Sequence, residues 1–331
     1  MKLNLSMAVG LVCAVAPLGA QTLATSSCPG TTQAEVVAQN ACQQAYDVFQ
    51  YLVPQIALAL SGGNATLGQN STLGGFGTFS VGVHAAGFSG SVPSPSSFPQ
   101  ATGAPTRNTL SSSSKAIAIP AFDASIGVFG GIPLALTNVG GVDLIASAAV
   151  VPNINVGDIV IPPHTSYQVG YGIRVGLLSE SLLIPGLSVT YSQRDLPSIS
   201  MSSVVGSTSL VISDMEIHTH SWRVVGSKSL LIADVAVGGG VDNYDQGADI
   251  HATVVNGAGT VIGTGVPRGT TQTHSRSNYF ANVGVNLLLF RVIGEVGHVS
   301  AMDDVQTFNA FSGGAPGRQL TYGSLGVRIG K

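Results

Sequence analysis

Few residues in this chain have the type and spacing that chemistry needs. Asp214, Glu216, His218 and His220 share one parity in a segment of strand character. Side chains two apart on a strand lie about 7 Å apart, so His218 and His220 are the metal-ligand candidates. A polar row facing a lumen fits the same spacing, and it leaves the chain without a metal. The run His218-Thr219-His220-Ser221 also fits a barrel hydrolase with Ser and His on one strand, provided the two come within hydrogen-bond reach. The sequence contains neither a Gly-x-Ser-x-Gly elbow nor a His-Glu-x-x-His motif. The expectation is therefore no catalytic residues, no enzyme activity and no cofactor.

Three arginines carry the remaining hint. Arg174, Arg194 and Arg328 fall on the polar faces of alternating segments. A charge facing lipid at the midplane costs about 2–4 kcal/mol, so all three should face inward. One reading pairs them with Asp123, Asp143 and Glu295 and closes the lumen; the other makes them a lining for small anionic or amphipathic solutes. Cys28 and Cys42, an even pair close in sequence, are most simply one disulfide in an exported chain.

The elements that must position these residues begin with export. Met1-Lys2 precedes an uncharged run from Leu5 to Leu18 that ends in Gly19-Ala20. This pattern reads as a signal peptide, residues 1–20, cleaved after Ala20. From Thr32 to Leu60, Val37, Ala41, Ala45, Val48, Phe49 and Leu52 recur at helical spacing, opposite Gln39, Gln43, Asp47 and Gln50. Pro54 should interrupt or restart this helix. With no second helix to pack on, it must bury its apolar face against strands, as a plug in a barrel or a cap over the periplasmic mouth. Residues 21–70 are assigned to this segment.

After residue 70 the period becomes two. In Tyr167–Leu177 every odd residue is apolar or aromatic and every even one is Gly, Gln or Arg. The same alternation marks Phe79–Ala85, Leu187–Tyr191, Val235–Val237, Tyr279–Leu289 and Leu325–Ile329. A soluble sandwich would carry Lys and Glu on its polar face. Here that face carries Gly, Ser, Asn and a few Arg, which suits a barrel in lipid. Residues 71–331 therefore read as a transmembrane antiparallel β-barrel of about 12 strands, with 10 to 14 admissible. Ser89–Ser114, Gln246–Arg276 and Asp303–Arg318 are the expected outer loops, and Gly130-Gly131, Pro185-Gly186 and Leu196-Pro197 the expected tight turns.

Composition supports this class. The 331 residues include only 13 Lys and Arg and 16 Asp and Glu, or 9% charged against about 25% in ordinary domains. Gly reaches 43, and the mean hydropathy is +0.38 although no apolar run after the signal reaches the ~18 residues of a spanning helix. A net charge of −3 offers no basic surface to nucleic acid.

The signal peptide, the plug-like helix, the alternating strands and the closing strand resemble bacterial outer-membrane β-barrels. Ile119-Pro120-Ala121-Phe122-Asp123, Gly140-Gly141-Val142-Asp143-Leu144 and Gly172–Leu177 look like a group of uncharacterised outer-membrane barrels distantly similar to the long-chain fatty-acid transporter family. The resemblance implies the bacterial outer membrane, with lipid and the barrel-assembly machinery as partners. It also implies a passive, porin-like channel or transporter for a small hydrophobic or amphipathic ligand. The alternatives are a non-conducting structural or adhesive barrel, favoured if the helix and paired charges fill the lumen, and a secreted β-sandwich or barrel hydrolase.

Overall fold

The computed structural model describes residues 24–61, 67, 71–134, 136–150, 155–156, 159–160 and 167–330; the expected signal peptide lies outside them. The alternating segments form ten strands: β1 (Phe79–Pro93), β2 (Ser112–Phe129), β3 (Gly141–Val150), β4 (Tyr167–Leu178), β5 (Gly186–Val205), β6 (Thr208–Leu230), β7 (Ala233–Val255), β8 (Gln272–Leu287), β9 (Phe290–Val299) and β10 (Leu320–Gly330). Each pairs antiparallel with its neighbour in sequence, and β1 pairs with β10 from Ser80–Gly330 to Phe88–Tyr322, which closes the barrel. Closure joins the two edges that an open sheet would leave free.

Among the described residues there are ten barrel strands, the lower bound of the 10 to 14 expected around twelve, because several are far longer than a bilayer crossing requires. β6 and β7 each have 23 residues and β5 has 20. Two expected loops shrink accordingly: Ser89–Pro93 and Ser112–Ser114 are strand, leaving 94–111, and Gln246–Val255 and Gln272–Arg276 are strand, leaving 256–271, in which Val261–Gly265 forms a short strand against β7. Leu196-Pro197 is not a turn either. β5 runs straight through it, with register shifts on β6 between Leu196 and Met201, and the bulge absorbs a proline that cannot donate to the ladder. Opposite it, Asp214 takes φ 49°.

The long strands carry two patterns of opposite polarity. On β6, Trp222 and Val224 face outward and are 52% and 49% exposed, whereas Ser221, Arg223 and Ser227 point inward and are buried. Nearer the long connections the polarity inverts. Met215 and Ile217 are buried inside, and Glu216, His218 and His220 face out. β7 changes between Val241 and Asn243, and β5 between Tyr191 and Gln193. Register places these changes at one level, since Tyr191 pairs with Trp222 and Trp222 with Val241. Tyr191 and Trp222 pack at 4.9 Å between centroids, on the level where aromatic girdles of membrane barrels lie. From there, Trp222 to Leu230 spans nine residues, close to the ~9–11 of a tilted crossing.

The apolar interior beyond this level exists because a helix fills it. α1 (Gln33–Ser61) starts in a reciprocal cap: Glu35 N donates to Thr32 Oγ1 at 3.2 Å, and Thr32 N to the Glu35 carboxylate at 2.9 Å. The hydrogen bond from the Thr31 hydroxyl, together with those from the Thr32 and Thr31 amides, holds the Glu35 carboxyl below its usual range. Pro54 stands within the continuous helix and does not interrupt it, because barrel wall packed around the helix holds its path. Phe49, Val53, Ala57 and Leu58 are fully buried, in one cluster with Leu210, Met215, Ile217, Ile250 and Val254. The polar side is buried too, so the helix lies inside the barrel. It occupies the half on the long-connection side and does not cap the other mouth.

Candidate functional site

The helix ends at mid-lumen, where its last carbonyls need donors. Arg194 Nη1 donates to the carbonyls of Leu60 and Ser61, both at 3.3 Å, and Gln168 Nε2 to that of Leu60 at 3.3 Å. The Ser61 and Tyr244 hydroxyls are hydrogen-bonded at 3.0 Å. Arg194 therefore caps a helix whose dipole favours a cation at this end.

Below this cap, charge pairs line the inner wall between strands that are adjacent or next but one. Arg223 Nη2 contacts Asp242 Oδ1 at 2.6 Å, with both side chains fully enclosed. Asp143 lies 3.9 Å from Arg174 and accepts from the Leu73 amide at 3.1 Å. Asp123 lies 2.7 Å from His84 Nδ1 and 4.0 Å from Arg328, and Asp234 lies 3.2 Å from Arg291. Glu295 accepts from Asn282 Nδ2 at 3.3 Å. The six charged residues singled out from sequence thus sit inside, beside Arg223, Asp242, Asp234, Arg291, Arg276 and His84, which that reading passed over. Strand parity carried the signal for Arg223 and Asp242: Arg223 follows outward Trp222 just as Arg174 follows Ile173. Toward the short-turn mouth a cavity of about 330 Å³ remains, bordered by Ser71, Glu180, Asp234, Asn286, Arg291 and Arg328.

The histidine row is on the other side of the wall. His218 and His220 face outward, against the expectation of a lumen-facing row, because they lie beyond the level at which β6 inverts its polarity. Each has its own partners: His218 Nδ1 meets Asp195 at 2.9 Å, and His220 Nδ1 meets the Tyr191 hydroxyl at 3.0 Å. Among the described residues no group of three His, Cys, Asp or Glu is arranged to hold a metal. Ser221 points inward and donates to Asp242 at 2.5 Å, so the Ser–His pair of the hydrolase reading is split across the barrel wall.

On the long-connection side, Cys28 and Cys42 form the expected disulfide, with Cα atoms 6.0 Å apart. Asp47, on the helix's polar side, accepts from Gln43 Nε2 at 3.0 Å, from the amides of Phe308 and Asn309 at 2.9 Å, and from Asn309 Nδ2 at 2.7 Å. Burial nevertheless pushes its carboxyl up to about 6. Helix and outer connection are thus joined through one enclosed acid.

Sheet closure and the outward apolar band define the class: an up-and-down antiparallel β-barrel with an internal N-terminal helix. No helix among the described residues is long and apolar enough to cross a membrane. No protein-family model and no curated protein matches the sequence. Among solved structures, the outer-membrane protease OmpT of Escherichia coli aligns over 77% of this chain and 97% of its own, at 9% identity and a TM-score of 0.32. The outer-membrane-expressed OmpT of Vibrio cholerae aligns over 76% and 97%, at 8% identity and 0.22. Likenesses this slight carry no argument about activity; the architecture is read from this chain's own strand pairing.

Proposed function

We propose that the chain is an outer-membrane β-barrel with a closed lumen, a structural scaffold holding its N-terminal helix and long connections on one side of the membrane. The observation that carries this reading is the filled interior: a helix buried over nearly all of Asn40–Ser61 in one half, and the buried Arg223–Asp242, Arg174–Asp143 and Arg328–Asp123 pairs along the inner wall of the other. The outward band ending at Tyr191 and Trp222 supports lipid as the surrounding medium. Export by a cleaved signal peptide, insertion by the barrel-assembly machinery and a lipid-facing wall belong to the same proposal. A passive path for small hydrophobic molecules, and with it the transporter likeness, gains no support from an interior so occupied. The proposal includes no catalytic step.

The test is gel mobility of detergent-extracted protein from an outer-membrane fraction, heated against unheated. A closed barrel in detergent migrates differently before heating. Identical mobility, with the protein soluble in the periplasm, would replace this reading with a secreted β-protein.

A further inference from the structure

We propose that the barrel is threaded by its own chain, so that Ala24 and the segment that follows it up to the helix stand at the cell surface. This rests on the outer-membrane reading above and adds a direction to it. At one end of the barrel four of the five connections are long, 94–111, 256–271, 300–319 and the sixteen residues between β3 and β4, while β5 and β6 are joined there by two residues. At the other, β6–β7 and β8–β9 are joined by two residues each, and a small hairpin, Ile132–Leu134 with Thr137–Val139, joins β2 to β3. Long connections mark the extracellular face of such barrels and short turns the periplasmic one.

The N-terminal segment is fastened at the long-connection end. Ala24 N donates to Thr307 O at 2.9 Å, and Arg107 donates to the carbonyls of Ala24 and Phe308, both at 2.8 Å. The Arg268 amide bonds Ser27 O at 3.0 Å, and the Asn40 amide bonds Gly103 O at 3.1 Å. From here α1 descends to Arg194 at mid-lumen. The chain reappears near the opposite mouth, where the Leu73 amide meets Asp143 and the Ser71 carbonyl accepts from Arg174 at 3.0 Å. β1 then starts at that mouth, with Ser80 opposite Gly330. Ala24 and Phe79 are therefore at opposite ends of the barrel, and the segment between them runs through it. The Cys28–Cys42 bond ties the emerging segment back onto the helix, so the displayed end is anchored covalently as well as by the connections around it.

The experiment compares an epitope inserted at exposed Thr25 with the same epitope at exposed Leu136 in the short-end hairpin, using antibody on intact and permeabilised cells. A heat-dependent mobility shift verifies that each variant folds. A Thr25→Cys variant labelled with a membrane-impermeant maleimide replaces the first insertion if that one fails to fold. Threading predicts full labelling at position 25 on intact cells, and labelling at 136 only after permeabilisation. Both sites requiring permeabilisation would overturn threading and leave the outer-membrane barrel standing. Labelling of intact cells at 136 but not at 25 would overturn the proposed direction. A protein absent from the outer-membrane fraction would remove the barrel reading on which the inference rests.

Discussion

The two halves of the barrel interior obey one alternation and obtain opposite results from it. Below the Tyr191–Trp222 level, inward residues include Ser188, Thr190, Arg174, Arg223 and Asn282, all buried, with Arg174 bonded to Thr190 and Asn282 to Glu295. Above it, inward residues are Leu196, Met201, Leu210, Ile217, Ile250 and Val254, and they meet the helix. On the proposed outer-membrane reading, the medium outside explains the inversion. Where lipid would cover the wall, apolar side chains go outward and polar ones turn to the lumen, where their partners come from neighbouring strands. Where water covers the wall, Asp195, Glu216, His218 and Asp245 can face out and the interior becomes an ordinary hydrophobic core. One barrel thus contains a membrane-type interior and a soluble-type interior, end to end.

Cutting one charge from the lower half should cost most. Arg223→Leu leaves Asp242 enclosed without its guanidinium, and removing one partner of a buried pair destabilises by about 3–5 kcal/mol. Urea-induced unfolding in lipid vesicles should show this loss, and the added Asp242→Asn should restore part of it. An unchanged midpoint would mean that the lower half does not depend on its pairs. Removing the disulfide attacks the upper half. With the 14-residue separation between Cys28 and Cys42, the double substitution to Ser should cost about 3 kcal/mol, seen as earlier proteolysis of residues 24–61 while the barrel keeps its heat-dependent mobility.

The smallest effect follows pH. Asp47 has its carboxyl raised from an ordinary 3.8 to about 6, so between these values the folded protein holds a proton that the unfolded chain has released. Its contribution is complete below about pH 4 and declines as pH rises to about 6, by roughly 1.4 kcal/mol for each pH unit in that interval. Wild type should therefore lose thermal stability from pH 4.5 to 7 relative to Asp47→Asn. The same slope in both proteins would show that the acid is not coupled to helix docking.

This division also decides what could be read from the amino-acid sequence. The lower half was legible, and with it the stretch just past the dividing level, because Tyr167–Leu177 and Leu325–Ile329 display the lipid-facing pattern without exception, and Arg174, Arg328 and, just above the level, Arg194 follow from parity. The upper half was not. Ala248, Ile250, Ala252 and Val254 alternate with Asp249, His251 and Thr253 in the opposite phase, so a segment that is strand in the structure resembled a polar loop. His218 and His220 lie just past the inversion, and a face assigned from the lipid rule came out reversed for them. The helix was visible from Val37 to Leu52, but which mouth it enters depends on contacts with Thr307, Phe308 and Gly103, more than 60 residues away in sequence.

The central claim is that the helix and the charge pairs close the lumen, and single-channel recording in planar bilayers tests it most directly. The purified wild-type protein should insert without steady conductance, whereas a variant lacking residues 33–61 that retains its heat-dependent mobility should show open events. Stable conductance from the wild type would contradict the account and return the molecule to the channels.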